Sequence, residues 1–180
     1  MSASVRSQRI SPAIADWVTA LLSRTETVTI DPIDLAAISL PDDEHLLPGG
    51  GPRSEVVDRI ESADAFVFVT PEYNRSYPAS LKRLIDWHYR EWMFKPATIV
   101  AYGAQGGHAA AEHLRGVLAE LHVVTTGNAT NLRSPWSALD DSGRFIPSQS
   151  LDAALSAALD ELVWWADALT PARTARPFTG

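Results

Sequence analysis

Two runs, residues 65–69 (AFVFV) and 97–102 (ATIVAY), are apolar at nearly every position instead of at every second one. A strand made from such a run has no face suited to water. It has to lie inside a sheet covered on both sides, the setting of a central parallel strand. Parallel neighbours need crossover connections, and the segments around these runs have the spacing of amphipathic helices. Residues 12–23 place Ile14, Trp17, Val18, Leu21 and Leu22 on one face, with Ser11 as N-cap and Pro12 at the first helical position. Residues 52–63 do the same with Val56, Val57 and Ile60, and residues 78–92 with Leu81, Leu84, Ile85 and Tyr89. Residues 106–121 begin on glycine and continue as a helix through Leu114, Val117, Leu118 and Leu121. Residues 27–30 (TVTI) read as a short β-branched strand and residues 122–126 (HVVTT) as the last strand. Residues 41–51, with two prolines and three successive glycines, read as a mobile loop, and residues 128–148 as irregular. Residues 151–169 form a closing amphipathic helix, followed by a frayed tail after Pro171. Alternation of helix and strand along the whole chain predicts one doubly wound α/β domain spanning residues 1–180, with a parallel sheet covered by helices on both faces.

Composition narrows the function classes. The 180 residues are 46% hydrophobic and 21% charged, enough for a full core in one domain. There is no cysteine, which excludes disulfides, thiolate metal sites and a cysteine nucleophile, and fits a reducing, cytoplasmic setting. The net charge of −7 with no basic block argues against nucleic acid as a partner. No apolar run approaches the roughly 20 residues of a membrane span, and the first residues lack the apolar centre of a secretion signal. His88, His108, His113 and His122 show no metal-ligand spacing with carboxylates, so no metal is expected.

In a doubly wound sheet, ligands bind beyond the carboxyl ends of the strands. Three segments fall at such ends. The first, before the first helix, holds Ser4, Arg6, Ser7, Gln8, Arg9 and Ser11, hydroxyls and guanidinium groups that could cradle an anion at a helix N-terminus. The second, TPEYNRSYP, sets Glu72, Tyr73 and Asn74 between Pro71 and Pro78, a stiff loop able to meet a planar heteroaromatic group. The third, YGAQGGHAA, uses Gly103, Gly106 and Gly107 to let a ligand approach the backbone closely. Each also has an ordinary reading on its own: a capped polar terminus, a surface loop with packed tyrosines, a plain glycine turn. No dinucleotide fingerprint, P-loop or nucleophile elbow is present.

Taken together, Pro71-Glu72-Tyr73-Asn74, Ser76, Pro78, Leu81-Lys82 and Ile85-Asp86-Trp87 closely resemble the NADPH-dependent FMN reductase family. That family has a flavodoxin-like fold, a three-layer α/β/α sandwich, and includes quinone, azo-dye and chromate reductases. The resemblance implies FMN as cofactor, NADPH or NADH as co-substrate, and a small electron acceptor such as a quinone, an azo compound or free flavin. Ser4, Arg6 and Ser11, with Arg9 nearby, match the family's phosphate loop. Pro71, Glu72, Tyr73 and Asn74 match the loop along the isoalloxazine ring, and Gly103, Gln105, Gly106 and Gly107 the glycine loop near its polar edge. No catalytic acid or base is implied. A homodimer or homotetramer is expected, with Trp87, Tyr89 and Trp92 at the interface.

One departure stands out. The family opens with an apolar strand immediately before the phosphate loop, whereas only Met1, Ser2 and Ala3 precede Ser4, and Ala3 replaces the loop's usual first glycine. A strand needs about five residues. The expectation is therefore a sheet lacking its first strand, with neighbouring backbone groups unpaired and the phosphate loop unmoored. Two explanations compete: a natural protein extended upstream, which is favoured, or a truncated, non-catalytic flavin-binding or redox-sensing paralogue.

Overall fold

The computed structural model describes residues 1–48 and 51–178. The strands are β1 (Phe66–Pro71), β2 (Pro96–Gly103), β3 (Val124–Thr125) and β4 (Thr130–Arg133). The helices are α1 (Ser11–Leu22), α2 (Val57–Ser62), α3 (Ala79–Asp86), α4 (His108–Glu120) and α5 (Gln149–Ala175). Every strand pair is parallel. β2 is buried along its whole length, as its unbroken apolar run requires. One core joins Phe66, Phe68, Ile99 and Ala101 to α2, α3 and α4. The other joins Val69, Val100 and Leu132 to α1 and α5. Alternate strand residues thus feed opposite layers, giving the three-layer sandwich.

Residues 122–126 are not the last strand. β3 and β4 lie on the same edge of β2, pairing Thr125 with Ala97 and Thr130 with Val100. Five steps on one strand match three on the other, so residues 126–129 form a bulge and the ladder resumes inside the stretch expected to be irregular. Residues 27–30 form no strand. The expected third helix stops at Asp86, and the chain turns so that Trp87 and Trp92 are buried within the protein, 3% and 0% exposed. They belong to the core and not to an interface. Tyr89, expected to point inward, is exposed. Nor does the chain fray after Pro171, because α5 continues to Ala175 and Arg173 bonds the Phe94 carbonyl and Asp64. In the 41–51 loop, Asp43–His45 makes one helical turn held by Arg83, while Gly49 and Gly50 lie outside the described residues.

Residues 1–3 take the place of a strand's end. Ser2 bridges Val69 on one side and Asp34 on the other. The Val69 amide donates to Met1 O, Ala3 N to Val69 O, Ser2 N to Ile33 O and Leu35 N to Ser2 O, at 2.8 to 3.0 Å. The loop that begins at Ser4, expected to be unmoored, is therefore moored by three residues.

Candidate flavin site

The three loops converge beyond the carboxyl ends of β1 and β2. Ser4, buried at the end of the Met1 segment, sets its Oγ 2.9 Å from the Tyr73 hydroxyl. The Arg6 guanidinium carbon lies 3.8 Å from the centre of the Tyr73 ring, a cation–π arrangement. Loop one is thereby joined to loop two. Loop two is joined to loop three by Glu72 N, which donates to Tyr102 O at 2.7 Å.

Not every candidate side chain is free to meet a ligand. Glu72 turns away: Oε2 accepts the amides of Ala109 and Ala110 at 3.0 and 3.4 Å, capping the N-terminus of α4. Arg9 is committed to Asp34 and to the Ser4 carbonyl, 2.9 Å away, so it braces the loop. Gln105 and Asn74 are exposed. Ser11 is not an N-cap; α1 begins with it, and its Oγ is fully buried with no hydrogen-bond partner of good geometry. Pro71 ends β1 in the register of Tyr102.

The tip of loop two is a two-residue turn. Tyr73 and Ser76 exchange backbone hydrogen bonds at 2.7 and 3.0 Å, and Asn74 and Arg75 both have positive φ, 49° and 67°. This is the primed turn that suits strand twist, and Asn adopts it readily whereas Arg does not. In loop three, Gly107 is obligatory: a Cβ there would sit 2.5 Å from Tyr102 N, at a φ of 79°.

Sequence reasoning missed two members of this site. Asp34 carries no local signal; only tertiary pairing brings it to Arg9, whose guanidinium holds the carboxyl below the usual carboxylate range. Tyr102 is buried among the loops, and that burial pushes its hydroxyl up to about 12, so it stays a proton donor at any working pH. Its place inside the quoted third loop was the available clue. Among the described residues, no cluster could hold a metal ion and no helix is long and apolar enough to cross a membrane.

This donor set fits the phosphate of a flavin nucleotide: two hydroxyls, one of them orphaned, and an accessible guanidinium at the start of a twelve-residue helix. The sequence model of the NADPH-dependent FMN reductase family matches residues 1–136. The chain belongs to the NADPH-dependent FMN reductase family. An NAD(P)H-dependent FMN reductase of Saccharomyces cerevisiae is 38% identical over 141 residues, 69% of this chain and 74% of that one. A 2-hydroxy-1,4-benzoquinone reductase of a Burkholderia species is 35% identical over 115 residues, 59% of this chain and 62% of its own length. In fold, the chain is similar to an NAD(P)H:acceptor oxidoreductase from Paracoccus denitrificans, with a TM-score of 0.73 at 24% identity over 93% of this chain and 94% of that one. As an FMN reductase family member the protein is an oxidoreductase that uses FMN, with NAD(P)H as electron donor.

Proposed function

We propose that the phosphate of FMN is held by Ser4, Arg6 and Ser11, that its ring lies along residues 71–74 opposite Gly103, Gln105, Gly106 and Gly107, and that electrons pass from NAD(P)H to a small quinone-type acceptor. The observation that carries this reading is the Ser4–Tyr73 hydroxyl bridge, which joins the anion cradle to the platform in one wall. Bound there, FMN supplies the hydride and electron chemistry. The chain's own residues position and shield it. Arg6 supplies positive charge, and Arg9 fixes the loop's curve through the Ser4 carbonyl. Glu72, spent on α4, keeps loop two rigid, so that backbone and the Tyr73 ring form the ring-side surface. Gly106 and Gly107, both at positive φ, let backbone lie close to the ring's polar edge. No side chain is assigned as acid or base.

The acceptor class is supported by the benzoquinone reductase relative. A homodimer or homotetramer is part of the proposal, supported by Trp164, 63% exposed on α5. Cytoplasmic location is proposed because reduced nicotinamide nucleotides are supplied there. The test is an FMN titration by fluorescence quenching, followed by steady-state oxidation of NADH and NADPH with a benzoquinone. Quenching with turnover is expected. Tight FMN binding with no turnover on quinone, azo dye or free flavin would instead favour the non-catalytic paralogue; absence of quenching would sink the site.

A further inference from the structure

Loop two carries at its tip a residue that its turn does not favour. A two-residue primed turn prefers glycine at its second position. Arg75 stands there instead, at a φ of 67°, where side chains other than asparagine and aspartate are uncommon. Strain of this kind persists where the surroundings hold the backbone in place. Here the turn is held from both sides. Tyr73 and Ser76 exchange backbone bonds, the Tyr73 hydroxyl meets Ser4, and the Ser76 hydroxyl lies 3.2 Å from His113 Nδ1 on α4. The group presented by this braced turn is an exposed guanidinium, one residue beyond Asn74.

Nothing within the protein occupies that guanidinium. The carboxylates of loop two and of the helices beside it are engaged elsewhere: Glu72 by the α4 amides, Asp86 by Lys82 and Glu112 by Arg115. Among the described residues, no ion pair includes Arg75. A planar, always charged donor, fixed at a strained position and left without an internal partner, has the chemistry of a binding group for an anion from outside.

We propose that Arg75 binds a phosphate of the nicotinamide nucleotide. The proposal rests on the flavin placement given above and adds a residue that reads the electron donor. Hydride transfer requires the nicotinamide ring to lie against the flavin ring. With the flavin along residues 71–74, the phosphates of the nucleotide extend past the end of that surface, where Arg75 is the next residue. Two phosphate sources share this chemistry: the pyrophosphate, common to NADH and NADPH, and the 2′-phosphate, present in NADPH alone.

The test compares the FMN-loaded chain with Arg75→Gly and Arg75→Lys. Three hydride donors are used with one benzoquinone: NADPH, NADH and N-benzyl-1,4-dihydronicotinamide, which has no phosphate. Arg75→Gly is expected to raise KM for NADPH about 10-fold with kcat little changed, and to leave KM for the phosphate-free donor unchanged. Arg75→Lys should recover part of the loss, because it keeps the charge without the planar fork. Calorimetric titration with NADP+ should show the same weakening with no turnover involved. Since Arg75→Gly relieves the turn, poor folding does not account for such a loss. A rise for NADPH alone assigns the 2′-phosphate; equal rises for NADPH and NADH assign the pyrophosphate. An equal rise for the phosphate-free donor would overturn the proposal, since the turn would then shape only the ring site. So would no rise at all, or the same rise in Arg24→Gln, which removes an exposed arginine just past the far end of α1. Failure of the flavin placement reads differently: the unsubstituted chain would then neither quench FMN fluorescence nor oxidise the phosphate-free donor, and this proposal would fall with it.

Discussion

Arg9 meets Asp34 in a two-pronged ion pair, Nη1 to Oδ1 at 2.5 Å and Nη2 to Oδ2 at 2.6 Å. The same Nη1 bonds the Ser4 carbonyl, and Asp34 is itself bridged to Ser2. The guanidinium thus adds a side-chain tie between the Ser4 loop and Asp34 to the backbone bonds that Ser2 makes with Ile33 and Leu35. Charge-assisted bonds of this kind contribute about 1.5–3 kcal/mol each. Asp34→Asn and Arg9→Lys are expected to weaken FMN binding about 10- to 100-fold while changing riboflavin binding much less, because riboflavin has no phosphate for the loop to hold. Parallel titrations with the two flavins check this; equal losses for both would mean that the pair supports the fold and not the loop.

Two glycines of one helix region should behave oppositely. Gly107→Ala puts a methyl group 2.5 Å from Tyr102 N and 2.7 Å from Ala101 C, at a φ that alanine rarely adopts. A loss of about 4 kcal/mol or more is expected, enough to leave little folded protein. Gly116, inside α4, has nothing within 4 Å of a built Cβ. Gly116→Ala should gain about 0.5–1 kcal/mol from helix propensity. Urea unfolding of both variants decides the matter.

Arg75 sits at a φ of 67° in the two-residue turn at the tip of loop two. A non-glycine residue there costs roughly 1 kcal/mol. Arg75→Gly, which completes an Asn-Gly turn, should raise the urea midpoint by an amount corresponding to about 1 kcal/mol. An unchanged or lower midpoint would show that the Arg75 side chain makes a compensating contact.

Acidity should weaken the fold from an unusual place. Burial lowers the Met1 amine from 8.0 to about 6. Between those values the unfolded chain binds more protons than the folded one, so stability rises with pH from 6 to 8 and is lost as pH falls through that window. Two units correspond to about 3 kcal/mol. Burial lowers His88 in the same sense, below its usual value, and its ring is already engaged by Ser54 and the Leu84 carbonyl. Burial also lowers Lys95 to about 8, adding a further rise above that pH. Acetylating the Met1 amine removes its charge. The acetylated chain should lose most of the slope between pH 6 and 8, as read by urea midpoints at several pH values.

The elements that were legible in the sequence are those whose signal is local. The runs at 65–69 and 97–102 had no water-compatible face and became β1 and β2. Periodicity located all five helices, although α3 was shortened because Trp87 and Trp92 are taken into the core by a turn. Residues 27–30 have strand composition but no ladder, since the space beside them holds no strand to pair with. The strand Thr130–Arg133 was hidden because a bulge at 126–129 divides it from β3, and its alternation, with Thr130 and Leu132 buried, spans only four residues.

By itself the sequence determined the α/β class and the two central strands, and it showed three polar or glycine-rich loops and their order along the chain, because steric preference, hydrophobic period and turn chemistry act over a few residues. Tertiary structure alone decided which side chains those loops spend on one another. Ser4 meets Tyr73 across 69 residues, Arg9 meets Asp34 across 25, and Glu72 caps α4 across 37. It also decided that three residues could moor the loop that follows them, Met1 and Ala3 bonding Val69 on one side and Ser2 bonding Ile33 and Leu35 on the other. Such pairings depend on where the sheet brings distant backbone together, and hydrogen bonding between remote groups leaves no period in the chain from which they could be read.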